Sequence, residues 1–369
     1  RGARNSGAGD IVVTDHPTGQ AALTAYPDLV MLDFGGGDGD FQVSDEDINI
    51  GISMKKGNTA LKDAINEVLA TMTTDDYNTM MDEGMQVLVG PTTTGASMSV
   101  ADACYNDRTF MLTPSASSTD VTAGKDNVFQ VCFTDPNQGV ASADYIAENK
   151  LGTKVGIIYD SSDAYSSGIY EKFKAEADAK GLEIVAAEAF SADNKSDLST
   201  QVAKCQQAGA DLVFLPIYYQ EASQILIAAN KSGYAPVFFG CDGMDGILTI
   251  EGFDASLAEG LMLLTPFAAD AQDEKTQAFV SAYKEAYGDT PNQFAADAYD
   301  VVYAIYQAAV AGGINGDMDA SDVCDALKAQ FTSMTFDGLT GDGMTWDASG
   351  AVSKAPKAVV IKDGAYAAM

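Results

Sequence analysis

The sequence predicts an α/β protein whose parallel sheets are flanked by helices. Three observations predict it. Short apolar runs rich in β-branched residues recur from residue 86 onward, as buried parallel strands require. Stretches with a helical apolar period separate them. The length of 369 residues accommodates about two domains.

Taken in order, the first ten residues read as a spacer or scar, with strands expected at 11–14, 29–32 and 48–53. A helix follows over 59–72, with Leu61, Ile65, Val68, Leu69 and Met72 on one stripe and Asn58 or Thr59 as its cap. A shorter helix is expected over 75–82. Strands are then expected at 87–89, 111–112, 155–159, 184–187, 212–215 and 237–239. The helices between them carry the stripes Val100, Ala101, Cys104; Ile169, Phe173, Ala177; Val202, Cys205, Ala208; and Ala222, Ile225, Leu226, Ala229. Beyond 273 the rhythm changes to long helices over 273–287 and 293–311, the second with Phe294, Ala298, Val301, Val302, Ile305 and Ala309 as its apolar face. A helix over 319–329 turns Val323, Ala326 and Leu327 inward. The tail offers short strands at 339–345 and 358–362, with a hairpin turn at Asp363 and Gly364.

Composition removes several functions. There are 21 basic against 53 acidic side chains, a formal charge of −32. Nucleic acid and anionic membrane surfaces are therefore poor partners, because both require clustered Lys and Arg. Arg1, Arg4 and Arg108 are the only arginines and His16 the only histidine, which leaves little for phosphate clamps, His-dependent catalysis or a multi-His metal site. Cys104, Cys132, Cys205, Cys241 and Cys324 form no CxxC pair and read as buried thiols, with at most two disulfides. The 35–39 Gly/Asp run lacks a P-loop Lys and a full calcium-loop pattern, and no Gly-x-Ser-x-Gly elbow occurs. No metal, cofactor or catalytic residue is expected. No apolar run reaches about 18 residues, and no signal-peptide pattern is visible.

Over 84–369 an ordered set of motifs is present. It runs through Val89-Gly90-Pro91-Thr92-Thr93-Thr94-Gly95, Thr113-Pro114-Ser115-Ala116-Ser117-Ser118 and Asp135-Pro136-Asn137-Gln138-Gly139. Tyr159-Asp160 with Tyr165 and Gly168, Tyr218-Tyr219-Gln220-Glu221, and Gly240-Cys241-Asp242-Gly243 follow. Asp337-Gly338-Leu339-Thr340-Gly341 and Trp346-Asp347 close it. This set resembles type I periplasmic solute-binding proteins of the leucine/isoleucine/valine class. Residues 10–83 lack that family's opening strand, loop and helix. Ile50-Gly51-Ile52-Ser53-Met54-Lys55-Lys56-Gly57-Asn58 resembles instead the closing part of a type II amino-acid-binding protein. The chain therefore reads as a hybrid joined near Glu83 and Gly84, with a strand–helix–strand unit in place of the missing βαβ.

The resemblance implies a two-lobed type I periplasmic-binding-protein fold, each lobe a parallel sheet flanked by helices. Lobe 1 would hold 1–134 plus 266–336, with 1–83 atypical, and lobe 2 would hold 135–265 plus 337–369. Three hinge crossings would fall near Thr134, at Thr265 and Pro266, and at Phe336 and Asp337. It also implies site residues. Thr94, at a helix start, would meet the α-carboxylate of an amino acid; its plainer reading is a helix cap. Ser115, Ala116 and Ser117 would offer carbonyl and hydroxyl groups, against the plainer reading of an exposed serine loop. Asp242 would oppose the ammonium, or be an ordinary turn residue; Asp135 would do the same, or cap a helix. Tyr165 and Tyr218 would close over the ligand, with Tyr219 as the alternative in that register. Trp346 reads as structural.

The function so implied is non-enzymatic. A solute-binding protein would capture a small amino acid, branched-chain or aliphatic, by hinge closure and deliver it to the membrane permease of an ABC importer. It would be an exported monomer, periplasmic or tethered to the cell surface as a lipoprotein. The alternatives are a ligand-sensing ectodomain of the same fold, or a hybrid that folds without binding.

Overall fold

The computed structural model describes residues 85–369. The expectations for 10–83, the hybrid junction and the 35–39 run lie outside the described residues.

The first sheet has three parallel strands in the order β1 (Val87–Val89), β2 (Phe110–Thr113), β3 (Val128–Gln130). Helix α1 (Thr94–Asn106) connects β1 to β2 and buries Thr94, Ser97, Ala101 and Cys104. Its other partners come from far along the chain. Helices α7 (Gln293–Gly312) and α8 (Ala320–Phe331) place Val301, Ala304, Ala308, Val323, Leu327 and Phe331 on Phe110, Leu112 and Phe129. Phe110, Phe129 and Phe331 form an aromatic triad with ring centroids 5.0–5.5 Å apart. Trp346 sits edge-on to Phe331 and donates its indole N–H to the Gln130 carbonyl at 2.7 Å, so it is structural as expected.

The second sheet has seven strands in the order β10-β9-β8-β7-β6-β4-β5. These are β4 (Lys154–Asp160), β5 (Glu183–Phe190), β6 (Leu212–Leu215), β7 (Val237–Gly240), β8 (Met262–Thr265), β9 (Lys357–Lys362) and β10 (Ala365–Ala368). The strands from β5 through β8 are parallel, while β9 and β10 close the edge as an antiparallel hairpin. Asp363 and Gly364 both have positive φ, 52° and 74°, which is what its two-residue turn demands. Along β6 the side chains alternate. Val213 and Leu215 enter one core, while Leu212 and Phe214 enter the other, so the sheet is buried on both faces. Helices α2 (Asp135–Asn149) and α3 (Ala164–Lys180) contribute Ala143, Ile146, Ile169, Phe173 and Ala177 to the Phe214 side. Helices α4 (Ser199–Gln207) and α5 (Tyr219–Ser232) contribute Val202, Cys205, Ala222, Ile225, Leu226 and Ala229 to the other. Helix α6 (Glu274–Tyr287) precedes α7.

Three sequence expectations are corrected. Strands β3 and β8 were not anticipated, because one is only three residues long and the other, Met-Leu-Leu-Thr, has a single β-branched residue. The 339–345 stretch is not a strand; its only pairings are isolated ones, such as Phe336 with Met344. The inward face of α7 differs from the apolar stripe. Val302 is 56% exposed, while Gln293, Asp297 and Asp300 are buried. Those three polar side chains are fixed by specific partners, described below.

All five cysteines are buried free thiols. Among the described residues no helix is long and apolar enough to cross a membrane.

Candidate functional site

Parallel strands direct the loops at their carboxyl ends to one side of the sheet, where a ligand can meet several of them together. On the first sheet those loops are residues 90–93 after β1 and 114–118 after β2. Thr113, the last residue of β2, ties them together: its hydroxyl donates to the Pro91 carbonyl at 2.6 Å and accepts from the Ala116 N–H at 3.2 Å. From β3, Gln130 donates to the carbonyls of Ala116 and Ser118 at 2.9 and 2.8 Å. The serine-rich loop is therefore buried and rigid, not an exposed turn. Ser115, Ala116, Ser117 and Ser118 are all at most 6% exposed.

Thr94 is the first helical residue of α1; the cap is Thr93, whose side chain makes no capping bond. The Thr94 hydroxyl oxygen accepts from the N–H groups of Ser117 and Ser118 at 3.3 and 3.4 Å. With its oxygen so engaged, its proton is left to donate. The helix start adds N–H groups without intrahelical partners and the positive end of a dipole. The Ser117 hydroxyl is buried without a hydrogen-bond partner. Here is a donor set suited to a carboxylate.

Ser117 also fastens the acidic side of the site. Its carbonyl accepts the Asp135 N–H at 2.9 Å, at the start of α2. Asp135 is 1% exposed, and neither carboxylate oxygen has a hydrogen-bond partner. Burial pushes its carboxyl well above the usual carboxylate value; the nearby Ser117 hydroxyl works against the rise, and Asp242, Asp163 and Asp120 add to it. Gly168 of α3 lies directly against this carboxylate; a Cβ there would come within 3.3 Å of Oδ2.

Asp242, just after β7, is equally buried but fully engaged. Its Oδ1 accepts from the Tyr165 hydroxyl at 2.7 Å and the Gly243 N–H at 2.9 Å, and its Oδ2 accepts from the Cys132 thiol at 3.4 Å. Its backbone N–H donates to Gln138 Oε1 at 3.3 Å, and its carbonyl accepts from Gln293 Nε2 at 2.9 Å. Burial raises this carboxyl, and the bonds from Tyr165, Cys132, Gln138 and Gln293 hold the rise down. Tyr165, 2% exposed, stacks on Tyr218 with ring centroids 4.8 Å apart. The Tyr218 hydroxyl is pushed up by burial and by Asp163, Asp242 and Asp135, with the Thr94 backbone amide opposing. Tyr219 packs elsewhere, against Gly246.

The structure thus brings Thr94, Ser117, Asp135, Tyr165, Tyr218 and Asp242 into one buried neighbourhood, whereas Ser115 and Ala116 are buried in the adjoining loop, Ala116 packing with Ala101, Cys104 and Met111. Sequence reasoning missed Cys132, Gln138 and Gln293, which hold Asp242. Gln138 stood inside a quoted motif; Gln293 follows Pro291 and Asn292 at a helix start, a position that ordinarily faces solvent.

This chain belongs to the periplasmic binding protein family, whose pattern matches residues 70–365. A Leucine-, isoleucine-, valine-, threonine-, and alanine-binding protein of Pseudomonas aeruginosa is 27% identical over 268 residues, 72% of this chain and 68% of the relative. Among solved structures, the branched-chain amino acid transporter substrate binding protein LivJ from Streptococcus pneumoniae, in complex with isoleucine, is 28% identical. It aligns with a TM-score of 0.70 over 79% of this chain and 80% of its own. The leucine binding protein LivK from Thermotoga maritima, at 24% identity, shares the fold, with a TM-score of 0.69 over 77% of this chain and 79% of its own. The type I fold expected from the motifs is therefore the fold of this chain, and its relatives are solute-binding proteins and not enzymes.

Proposed function

We propose that this protein binds a free aliphatic amino acid, branched-chain in the first instance, and presents it to the permease of an ABC importer. A zwitterion needs hydrogen-bond donors and a carboxylate a few ångströms apart, away from water. Ser117 supplies that spacing: its N–H bonds Thr94 and its carbonyl bonds Asp135. The observation that carries the reading is a pair of adjoining buried polar groups, the Ser117 hydroxyl and the Asp135 carboxylate, neither with a partner beyond the other. An α-carboxylate at Thr94, Ser117 and the start of α1, with an ammonium at Asp135, would satisfy both. The Ala116 backbone, held by Thr113 and Gln130, fixes this loop, Tyr165 and Tyr218 supply the aromatic wall, and Asp242 holds that wall in place. The strongly acidic surface favours the ammonium end only modestly at physiological salt, so local N–H and hydroxyl groups must hold the carboxylate.

Entry requires motion, because Thr94, Ser117, Asp135 and Asp242 are all at most 1% exposed. We place lobe 1 on the three-stranded sheet with α1 and α6 to α8, and lobe 2 on the seven-stranded sheet. Phe336, Met344, Trp346 and Val352 pack with Phe110 and Phe129, so the third crossing is best drawn between Val352 and Lys357. Hinge opening would expose the cradle, and ligand would shift the equilibrium toward closure. Export to the periplasm or cell surface, with or without a lipid tether, and a monomeric state complete the proposal.

Calorimetric titration of the full chain with each of the twenty amino acids tests it. Single-site binding of leucine, isoleucine or valine is expected. No heat and no thermal shift with any amino acid would overturn it.

A further inference from the structure

Helix α7 carries three inward polar side chains at i, i+4 and i+7: Gln293, Asp297 and Asp300. Residues so spaced lie on one helix face. Each fastens a different passage of the chain. Asp300 accepts from the N–H groups of Leu339 and Thr340 at 2.7 and 2.9 Å and from the Thr340 hydroxyl at 2.6 Å. Asp297 pairs with the ammonium of Lys354 at 3.1 Å, both fully buried, and Lys354 also bonds the Thr340 hydroxyl. Gln293 reaches the loop after β7. Its side-chain amide donates to the Asp242 carbonyl at 2.9 Å, and its backbone N–H donates to Asp245 Oδ2 at 2.7 Å.

The apolar side of α7 packs on the first sheet through Val301, Ala304 and Ala308, whereas the 242–245 loop follows a strand of the second. Gln293 therefore ties the segment that carries Asp242 to the helix anchored on the opposite sheet. We infer that Gln293 is a positioning residue: through it, α7 sets the Asp242 loop, and with it Tyr165 and the aromatic wall, in the buried arrangement described here. This rests on the amino-acid-binding reading above, and it names a residue that touches no ligand.

Two variants test it in the full chain. Gln293→Met keeps the side-chain volume and removes the donor. Hydrogen exchange of the 240–246 amides in unliganded protein is expected to rise roughly tenfold, the effect of one lost buried hydrogen bond. Leucine affinity is expected to fall by a similar factor, chiefly through faster dissociation. Gln293→Glu adds a pH signature. Its protonated form donates to the Asp242 carbonyl as the amide does. Its ionised form cannot, and it confronts Asp242 and Asp245 on the loop and Asp297 on its own helix, whose charge is paired with Lys354. Its affinity relative to wild type should approach one at acidic pH and fall as pH rises, a profile that a packing role would not produce. Unchanged exchange over 240–246 in Gln293→Met, or a Gln293→Glu affinity that tracks wild type at every pH, overturns the inference. If wild type binds no amino acid, the functional reading fails, and the exchange measurement alone decides the role of Gln293.

Discussion

Asp135 and Asp242 are the same residue type, each 1% exposed, on facing parts of one site, yet their surroundings differ completely. Asp242 receives three donors on its carboxylate, from Tyr165, Gly243 and Cys132. Asp135 has only the nearby Ser117 hydroxyl beside it. A buried carboxylate without partners is costly unless it is protonated or met by a cation. On the proposed function, the contrast separates roles that the sequence motifs merged: Asp242 would serve the scaffold of the wall, and Asp135 would be the group that a ligand ammonium completes.

Substituting the two acids should sharpen this contrast most. Asp135→Asn should weaken amino-acid binding by about 2–5 kcal/mol, the range for losing one partner of a buried charged pair. It should also stabilise the unliganded protein, since no charge must then be buried and no proton taken up on folding. Calorimetry and urea unfolding read the two effects. Asp242→Ala should act the other way on stability, lowering it by about 2–4 kcal/mol, because the buried Tyr165 hydroxyl and Cys132 thiol lose their acceptor. An equal loss of binding with no loss of stability in Asp242→Ala would break the distinction.

The pH dependence should divide along the same line. Burial pushes Asp245 up to about 6 and Asp297 up to about 7, from an ordinary value of 3.8. Over that window the folded state holds protons that the unfolded chain has released. Their contribution to stability is therefore full below the unfolded value and is lost as pH rises through the folded values, a change of at most about 7 kcal/mol in sum. Urea midpoints across about pH 4 to 8 measure it. Ligand affinity should move oppositely, because an ammonium favours ionised Asp135, and binding should release a proton. Titrations in buffers of different ionisation enthalpy detect that proton. The smallest effect is expected for Tyr165→Phe, about 1 kcal/mol of stability, as Asp242 Oδ1 keeps the Gly243 N–H.

Much of the site was legible in the sequence, since loops after parallel strands converge. Strand and helix periods located β1, β2 and β7, but Thr94, Ser117 and Asp242 were singled out only through the family resemblance of the motifs beside them. The polar spine of α7 was not legible. Apolar periodicity places Gln293, Asp297 and Asp300 outward by default, and only tertiary partners such as Lys354 and Leu339 turn them inward. Likewise, nothing in the sequence distinguished the satisfied Asp242 from the bare Asp135, because the partners of Asp242 lie as far as 110 residues away.

The central claim is that Asp135 awaits an ammonium. Calorimetric titration with leucine and with isocaproate, which keeps leucine's side chain and carboxylate but lacks the ammonium, tests it most directly. Wild type should bind leucine at a single site and isocaproate not at all, with that preference abolished in Asp135→Asn. Equal binding of the two compounds by wild type, or an unaltered preference in Asp135→Asn, would contradict it.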